Sequence, residues 1–388
     1  MKRVILISLI LLSTLELSAF DWKAQSNHEL RSDMFAFVEK FRDSTADKSL
    51  IKELDHFLKT QKSQAETAEY AWIQDTHDFV DRMLKAYPAE VSEGAKCSFE
   101  RKMLLLLRDY PMHVDNKPKD APQELKNAYD SSIRELYSSA EQEALEWLRK
   151  RGKGKKLEVF KVYNMGFLFR SGAKVCAIDV QWSGSEEEIA EFVSLIDVFF
   201  VTHPHGDHYD KPVLEAVLKA GKPLVMPSDI LPEFNSRHKI IIDKDCPEPM
   251  EVAGLTFESR MGNQGVNIPC NVYLISLGKW NIVHNGDNSV DEAEHFLSQK
   301  DVDVLVAACW NKFKDTMDHI KANPEGTSCI YMSSHENEKG HTVDHRESYE
   351  ELFRRADRLG DPDYNYLPTV VLDVAGDAYE LTVFHSSN

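Results

Sequence analysis

Three imidazoles and a carboxylate fall within six residues of this 388-residue chain, His203-Pro204-His205-Gly206-Asp207-His208. They follow the apolar run Val198-Phe199-Phe200-Val201, so the polar cluster begins where a buried strand would emerge. In extended backbone the side chains alternate with a period of two, which sends His203 and His205 to the same side. Gly206 lets the chain turn, so Asp207 and His208 can face a neighbouring point. The arrangement offers imidazole nitrogens to one metal ion, and a carboxylate plus an imidazole to another a few ångströms away. Imidazole with carboxylate suits Zn, and also Fe or Mn.

Elements must hold that cluster in place. From residue 157 onward, strand-like and helix-like segments alternate. LEVFKVYNMGFLFRSGAKVCAIDV predicts strands around a Ser171-Gly172 turn, EEEIAEFVSLI a helix, DVFFVT a buried strand, KPVLEAVLKAG a helix and PLVMP a short strand. MEVAGLTFES and the hairpin-like NVYLISLGKWNIVH follow. Then come a helix over 290–299, strands at DVLVAA and CIYMSS, a helix over 346–359 and a closing hairpin, TVVLDVAGDAYELTVF. The class is α/β with mixed sheets.

The first part of the chain is patterned differently. Leu50, Ile51, Leu54, Phe57 and Leu58 recur at helical spacing behind Asp47, which stands as a candidate N-cap. Trp72, Ile73, Phe79, Val80, Met83, Leu84 and Tyr87 form a second stripe, stopped by Pro88. Leu125, Tyr129, Ile133, Leu136, Ala140, Ala144 and Trp147 form a third. These stripes predict a helical core that packs on itself or on the next domain. His28, His56, His77 and His113 lie among them without ligand spacing, as ordinary surface or core histidines. The basic run Arg149–Lys156 marks a boundary. The expected division is a helical domain over 20–151, a basic linker over 152–156 and an α/β domain over 157–388.

The HxHxDH run at the end of an apolar strand resembles the first signature of the metallo-β-lactamase fold superfamily, and the resemblance covers residues 157–388. It implies an αββα sandwich, here preceded by an all-α N-terminal domain, with a metal site at one edge of the two sheets. In that family a bridging Asp follows a later strand, usually in a Gly-Asp pair. Of the four such pairs here, only Gly286-Asp287 follows an apolar strand at the expected place, so Asp287 matches the bridging ligand. The family's last ligand is a His after a late strand, which His335 in CIYMSSHENEKGH matches.

The resemblance therefore implies His203, His205, Asp207, His208, Asp287 and His335 as metal ligands, with one or two Zn ions, or Fe or Mn, as cofactor. It implies a hydrolase whose metal-bound hydroxide attacks a carbonyl or phosphoryl centre of a lactone, ester or phosphodiester. Asp207 would be catalytic as well as a ligand, orienting the nucleophile or shuttling a proton. The order of ligands most resembles the branch that includes ascorbate-phosphate lactonases and phospholipid-cleaving phosphodiesterases. One family position has no counterpart. A further His is expected after MEVAGLTFES, where this chain reads Arg260-Met261-Gly262-Asn263-Gln264-Gly265-Val266-Asn267. The set His203, His205 and Asp287 is thus one nitrogen short, whereas Asp207, His208, Asp287 and His335 is complete. Two other functions compete: a metal- or ligand-binding protein impaired in catalysis, and an interaction protein acting through its helical domain.

Composition narrows the partners. The chain has 46 Lys+Arg against 64 Asp+Glu, a formal net charge of −18, which argues against a nucleic-acid binder that works by neutralising phosphates. A small-molecule substrate is the expected partner. At 42% apolar residues the chain is an ordinary globular one, neither disordered nor a multi-span membrane protein. Met1-Lys2-Arg3, the run Val4–Leu12 and Ser18-Ala19 have the charged, apolar and small-residue order of a signal peptide over residues 1–19. That order predicts export to a periplasm or to the medium. Ser13, Thr14 and Glu16 keep the apolar run short of the ~20 residues a span needs, so no stable membrane anchor is expected. Cys176, Cys309 and Cys329 sit among apolar residues as small buried side chains. Cys246 and Cys270, in Pro-flanked segments, are candidates for a disulfide. The pattern sets no oligomeric state.

Overall fold

The computed structural model describes residues 27–64, 70–89, 92–93, 98–110, 123–150, 152, 154–264, 268–288, 293–299, 302–308, 327–333, 368–372 and 375–381. The signal segment 1–19, His113, Asn267, Cys309, His335 and the helix expected over 346–359 lie outside the described residues.

Five helices are described before residue 150: α1 (Asn27–Ser44), α2 (Lys48–Ser63), α3 (Ala71–Leu84), α4 (Phe99–Asp109) and α5 (Gln123–Arg149). Asp47 caps α2, its carboxylate accepting from the backbone N–H of Ser49 at 2.8 Å and of Leu50 at 3.1 Å. The stripes read from the sequence face inward, with Leu50, Leu54, Ile73, Val80, Leu125 and Tyr129 all buried. His77 is buried among them, Nδ1 against Ser132 Oγ and Nε2 against Arg108 O. It is a core histidine.

The remainder, joined by Ser92–Glu93 from the otherwise helical first part, forms two sheets. The seven-stranded sheet contains β2 (Leu157–Tyr163), β3 (Gly166–Ser171), β4 (Lys174–Ile178), β5 (Val198–Phe200), β6 (Leu224–Met226) and β7 (Lys239–Ile241), with β15 (Ala378–Leu381) against β2. β2 to β4 form antiparallel hairpins, whereas β4, β5, β6 and β7 run parallel. Helices α6 (Glu186–Leu195) and α7 (Lys211–Lys219) supply the first two crossovers. Ser185 and Glu188 close a capping box at the start of α6.

The eight-stranded sheet runs β1 (Ser92–Glu93), β14 (Pro368–Leu372), β13 (Thr327–Ser333), β12 (Val302–Ala308), β11 (Trp280–His284), β10 (Ile268–Leu277), β9 (Leu255–Gln264), β8 (Cys246–Val252). The short helix α8 (Glu294–Gln299) lies between β11 and β12 in the chain.

Period-two alternation separates two apolar cores. Leu157, Val159, Phe167, Phe169, Ile178 and Phe200 point inward, in one cluster with Phe257, Tyr273, Ile275 and Ile282 of the facing sheet. Their neighbours Phe160, Val162, Leu168, Ala177 and Phe199 point outward and join the helices. Helix α5 lies against this outer face, with Trp147 5.7 Å from Phe160 and Tyr137 4.7 Å from Tyr163 between ring centroids. The basic run also meets the sandwich, since Lys155 O accepts from Trp280 Nε1 at 3.0 Å.

The expected closing hairpin is not one. β14 pairs parallel with β13, while β15 pairs antiparallel with β2 in the other sheet. Between them the chain crosses the sandwich. Gly376 N donates to Lys161 O and Lys161 N to Asp377 O, both at 2.9 Å, which anchors the crossing segment to β2. Alternating apolar residues fit any half-buried strand, so the pattern carries no information about which sheet each strand joins.

Candidate metal centre

The carboxyl ends of parallel strands converge at one edge of the sandwich, where open α/β sheets commonly place their sites. Asp179 follows β4, Thr202 to His208 follow β5, and Asn285 to Asn288 follow β11. The β9–β10 tip brings Gln264 to the same edge. Asn271 N donates to Thr202 O at 2.9 Å and Tyr273 Oη to Val201 O at 3.0 Å, so the eight-stranded sheet is bonded directly to the end of β5.

Two imidazoles are fully buried and oriented by hydrogen bonds at Nδ1. His208 Nδ1 lies 2.8 Å from Asp179 Oδ2. His203 Nδ1 lies 3.0 Å from Thr202 Oγ1, whose own hydroxyl donates to Asp179 Oδ2 at 2.6 Å. Thr202 Oγ1 therefore accepts from His203, and both rings carry their proton on Nδ1 toward these partners. Asp179 has φ +51°, a left-handed backbone rare outside glycine, and Thr202 N donates to its Oδ1 at 2.8 Å. This fully buried carboxylate fixes both histidines at once. It is absent from the sequence-derived set, because a single Asp after an apolar strand has no diagnostic spacing.

The Nε2 atoms face inward. His208 Nε2 stands 3.4 Å from both Asp207 Oδ2 and Asp287 Oδ2, and His203 Nε2 stands 3.8 Å from Asp287 Oδ2. The rings of His203 and His205 are 4.6 Å apart. Ligand atoms of His203, His205 and Asp287, and separately of Asp207, His208 and Asp287, lie within 4.8 Å of one another. The structure thus brings together five of the six sequence-predicted ligands, and the sixth, His335, lies outside the described residues.

Asp287 reaches the centre on a tight loop. Gly286 has φ +52°, and a Cβ there would come within 2.9 Å of Cys270 Sγ and 3.0 Å of Thr202. Buried Asn285 and Asn288 brace the loop, each side-chain amide donating to the other's backbone oxygen at 2.8–2.9 Å. Gln264 Nε2 donates to Asp287 Oδ2 at 2.7 Å, which places a residue of the His-free segment at the centre itself. Its neighbour Asn263 is exposed.

No protein-family profile and no curated protein matches the chain. Solved structures do. YhfI of Bacillus subtilis, a metallo-β-lactamase fold protein, matches at 15% identity and TM-score 0.42 over 59% of this chain and 100% of its own. Igni18, a metallo hydrolase of Ignicoccus hospitalis, matches at 14% identity and TM-score 0.45 over 59% and 99%. The diiron β-hydroxylase CmlA of Streptomyces venezuelae also matches, at 12% identity and TM-score 0.43, over 60% of this chain and 55% of CmlA. At such values the chemistry must be read from the centre's own atoms.

Those atoms fit a cation. Among the described residues, His203 Nε2, His208 Nε2 and Asp287 Oδ1 are buried without a hydrogen-bond partner. Burying such groups unpaired costs free energy, which a bound cation would offset. The electrostatics agree. Burial, with His208 nearby, pushes His203 down to about 2, so its ring is neutral and can ligate. At His208 burial opposes the charge, but Asp287, Asp179 and Asp207 together outweigh it and hold the imidazole well above its usual value. Without a metal the centre therefore holds a proton at His208, which an ion would displace.

The disulfide expectation is corrected. Cys246 and Cys270 are both free. They flank β9 from opposite sides, in register with Ser259 and Gly262. Two strand spacings come to about 9–10 Å, beyond a disulfide's reach. Cys270 instead packs beside the centre, its Sγ 3.5 Å from His203 Nδ1, and burial pushes its thiol up to about 12.

Proposed function

We propose that the chain is a metal-dependent hydrolase acting on a carbonyl or phosphoryl centre in a lactone, ester or phosphodiester. One observation carries this reading: two buried imidazole Nε2 atoms, of His203 and His208, each without a hydrogen-bond partner, converge on the Asp287 carboxylate between the carboxyl ends of β5 and β11. A bound divalent cation supplies a lowered pKa for water and a Lewis acid for the substrate oxygen. Asp207, His208 and Asp287 would hold it, with His203 and His205 beside it. Asp207 is the more open of the two facing carboxylates, its side chain 11% exposed against 4% for Asp287. In this reading it orients the attacking water and accepts its proton. Asp179 keeps His208 in the ligating tautomer throughout.

The test is a panel of lactone, thioester, phosphodiester and β-lactam substrates, run on the purified protein before and after chelation. Turnover of one class, lost on chelation and restored by Zn, Mn or Fe, is the expected result. Turnover indifferent to chelation would rule the reading out. A tightly metallated protein with no turnover of any class would favour the metal-binding alternative, to which the missing imidazole lends its one specific observation.

A further inference from the structure

The helical layer reaches the centre through a buried carboxylate. Among the described residues, Glu141 is the one carboxylate on the buried face of α5, in a stripe with Tyr137 and Leu145. Burying it costs free energy unless donors satisfy it. Ser183 N donates to its Oε1 at 2.6 Å, and Ser183 Oγ lies 2.8 and 2.9 Å from its two oxygens.

Ser183 closes a short segment that begins at Asp179 and is bonded to the histidine run along its length. Asp179 bonds Thr202 and His208, Gln181 donates to Gly206 O, and Trp182 N donates to Asp210 Oδ2 at 2.7 Å. Residues 179–183 therefore join the run 202–210 on one side and α5 on the other. The helix is itself fixed to the sheet. Arg170 of β3 donates to Trp147 O at 2.7 Å and Lys150 O at 2.5 Å, at the C-terminal end of α5. The same guanidinium donates to both oxygens of Glu158 in β2 at 2.7 Å and lies 3.8 Å over the Trp147 ring. Helix α5 is thus a strut on the seven-stranded sheet, and Glu141 is the point where it grips the loop.

We infer that Glu141 is a positioning residue of the metal centre. By holding Ser183 it fixes the segment from which Asp179 and Gln181 hold the histidine run, which makes the helical layer part of the centre's frame. The inference rests on the metal-centre reading above.

The experiment compares the full-length unmodified chain with Glu141→Leu, Ser183→Ala and Asp377→Asn. Glu141→Leu keeps apolar packing on α5 and removes the acceptor. Ser183→Ala removes the hydroxyl donor from the loop side, without touching the helix. Asp377→Asn loosens a different fastening of the layer, the pair with Arg101. Zinc affinity is read by competition with a chromophoric chelator. Amide deuterium exchange over 179–183 and 202–208 is read on the metal-free chain. Glu141→Leu should bind zinc about 10-fold more weakly, the low end of what losses beyond the ligands cost, and exchange faster in both segments. Ser183→Ala should shift both readouts the same way by less. Asp377→Asn should lower the thermal midpoint and move neither. Unchanged zinc affinity in Ser183→Ala, or in a folded Glu141→Leu, would overturn the inference. Equal shifts in Asp377→Asn would overturn it too, since they would reflect lost global stability alone. An unmodified chain that binds no zinc overturns the metal-centre reading, and the exchange comparison, made without metal, then decides the link from Glu141 to the histidine run by itself.

Discussion

At Asp179 a single carboxylate sets the chemistry of two histidines, through a direct bond to His208 Nδ1 and through Thr202 to His203. Removing its charge while keeping its shape isolates that role. Asp179→Asn should weaken metal binding about 10–100-fold, as losses at groups that orient metal ligands usually do. Competition with a chromophoric chelator measures it, and unchanged affinity would show that Asp179 is only structural.

The apo-centre's pH linkage has two opposite parts. The folded pKa of His208 lies above 6.5, so its stability contribution is complete below that pH and is lost as pH rises through the raised value. His203 is depressed to about 2, so its contribution is present above 6.5 and is lost as pH falls from there toward that value. The candidate ligands at 203, 205, 207 and 208 were legible because imidazole and carboxylate at tight spacing after an apolar strand are rare, and Asp287 because the family resemblance points to a Gly-Asp pair after a later strand. Asp179 and Gln264 were not, since an isolated Asp and an amide in a polar tip look like ordinary loop residues. Only the fold places them beside the histidines.

Among the elements, the loop after β11 is the most constrained. Gly286 brings Asp287 in by a left-handed turn pressed against Cys270 and Thr202. An alanine there costs about 1–2 kcal/mol in backbone conformation and about 1–3 kcal/mol in overpacking. Gly286→Ala should lower the thermal midpoint and reduce retained metal together, followed by calorimetry and elemental analysis. A stable variant with full metal content would mean the loop has slack that the geometry does not show. Most strands and helices from β2 to β12 were legible from periodicity, which is local, but the three-residue β7 was too short to show a period and the Pro-flanked start of β8 looked like loop. The fate of β14 and β15 was not, because partner choice between two sheets is set by long-range register. The helix α4 was also missed, since Leu104 to Leu107 form a continuous apolar run rather than a spaced stripe.

Over the whole molecule, the helical layer is fastened to the loop that carries Asp179. Glu141 of α5, buried, accepts from Ser183 N at 2.6 Å and from its hydroxyl at 2.8 Å. Gln181 of the same loop donates to Gly206 O, inside the histidine run. At the far end of the layer, buried Arg101 pairs with Asp377 at 2.7 Å. Helices and sandwich also share one apolar cluster, so the helical layer covers the outer face of the seven-stranded sheet. The fold thus holds five candidate ligands from two loops around one point, and the account stands on whether that point binds a metal. Elemental analysis of the purified chain beside His208→Ala, Asp287→Ala and His28→Ala decides it. The account predicts about one equivalent of metal in the unmodified chain and in His28→Ala, and near-complete loss in the other two, each lacking one of the few protein ligands such a site has. Equal metal content in all four, or none in the unmodified chain, would contradict it.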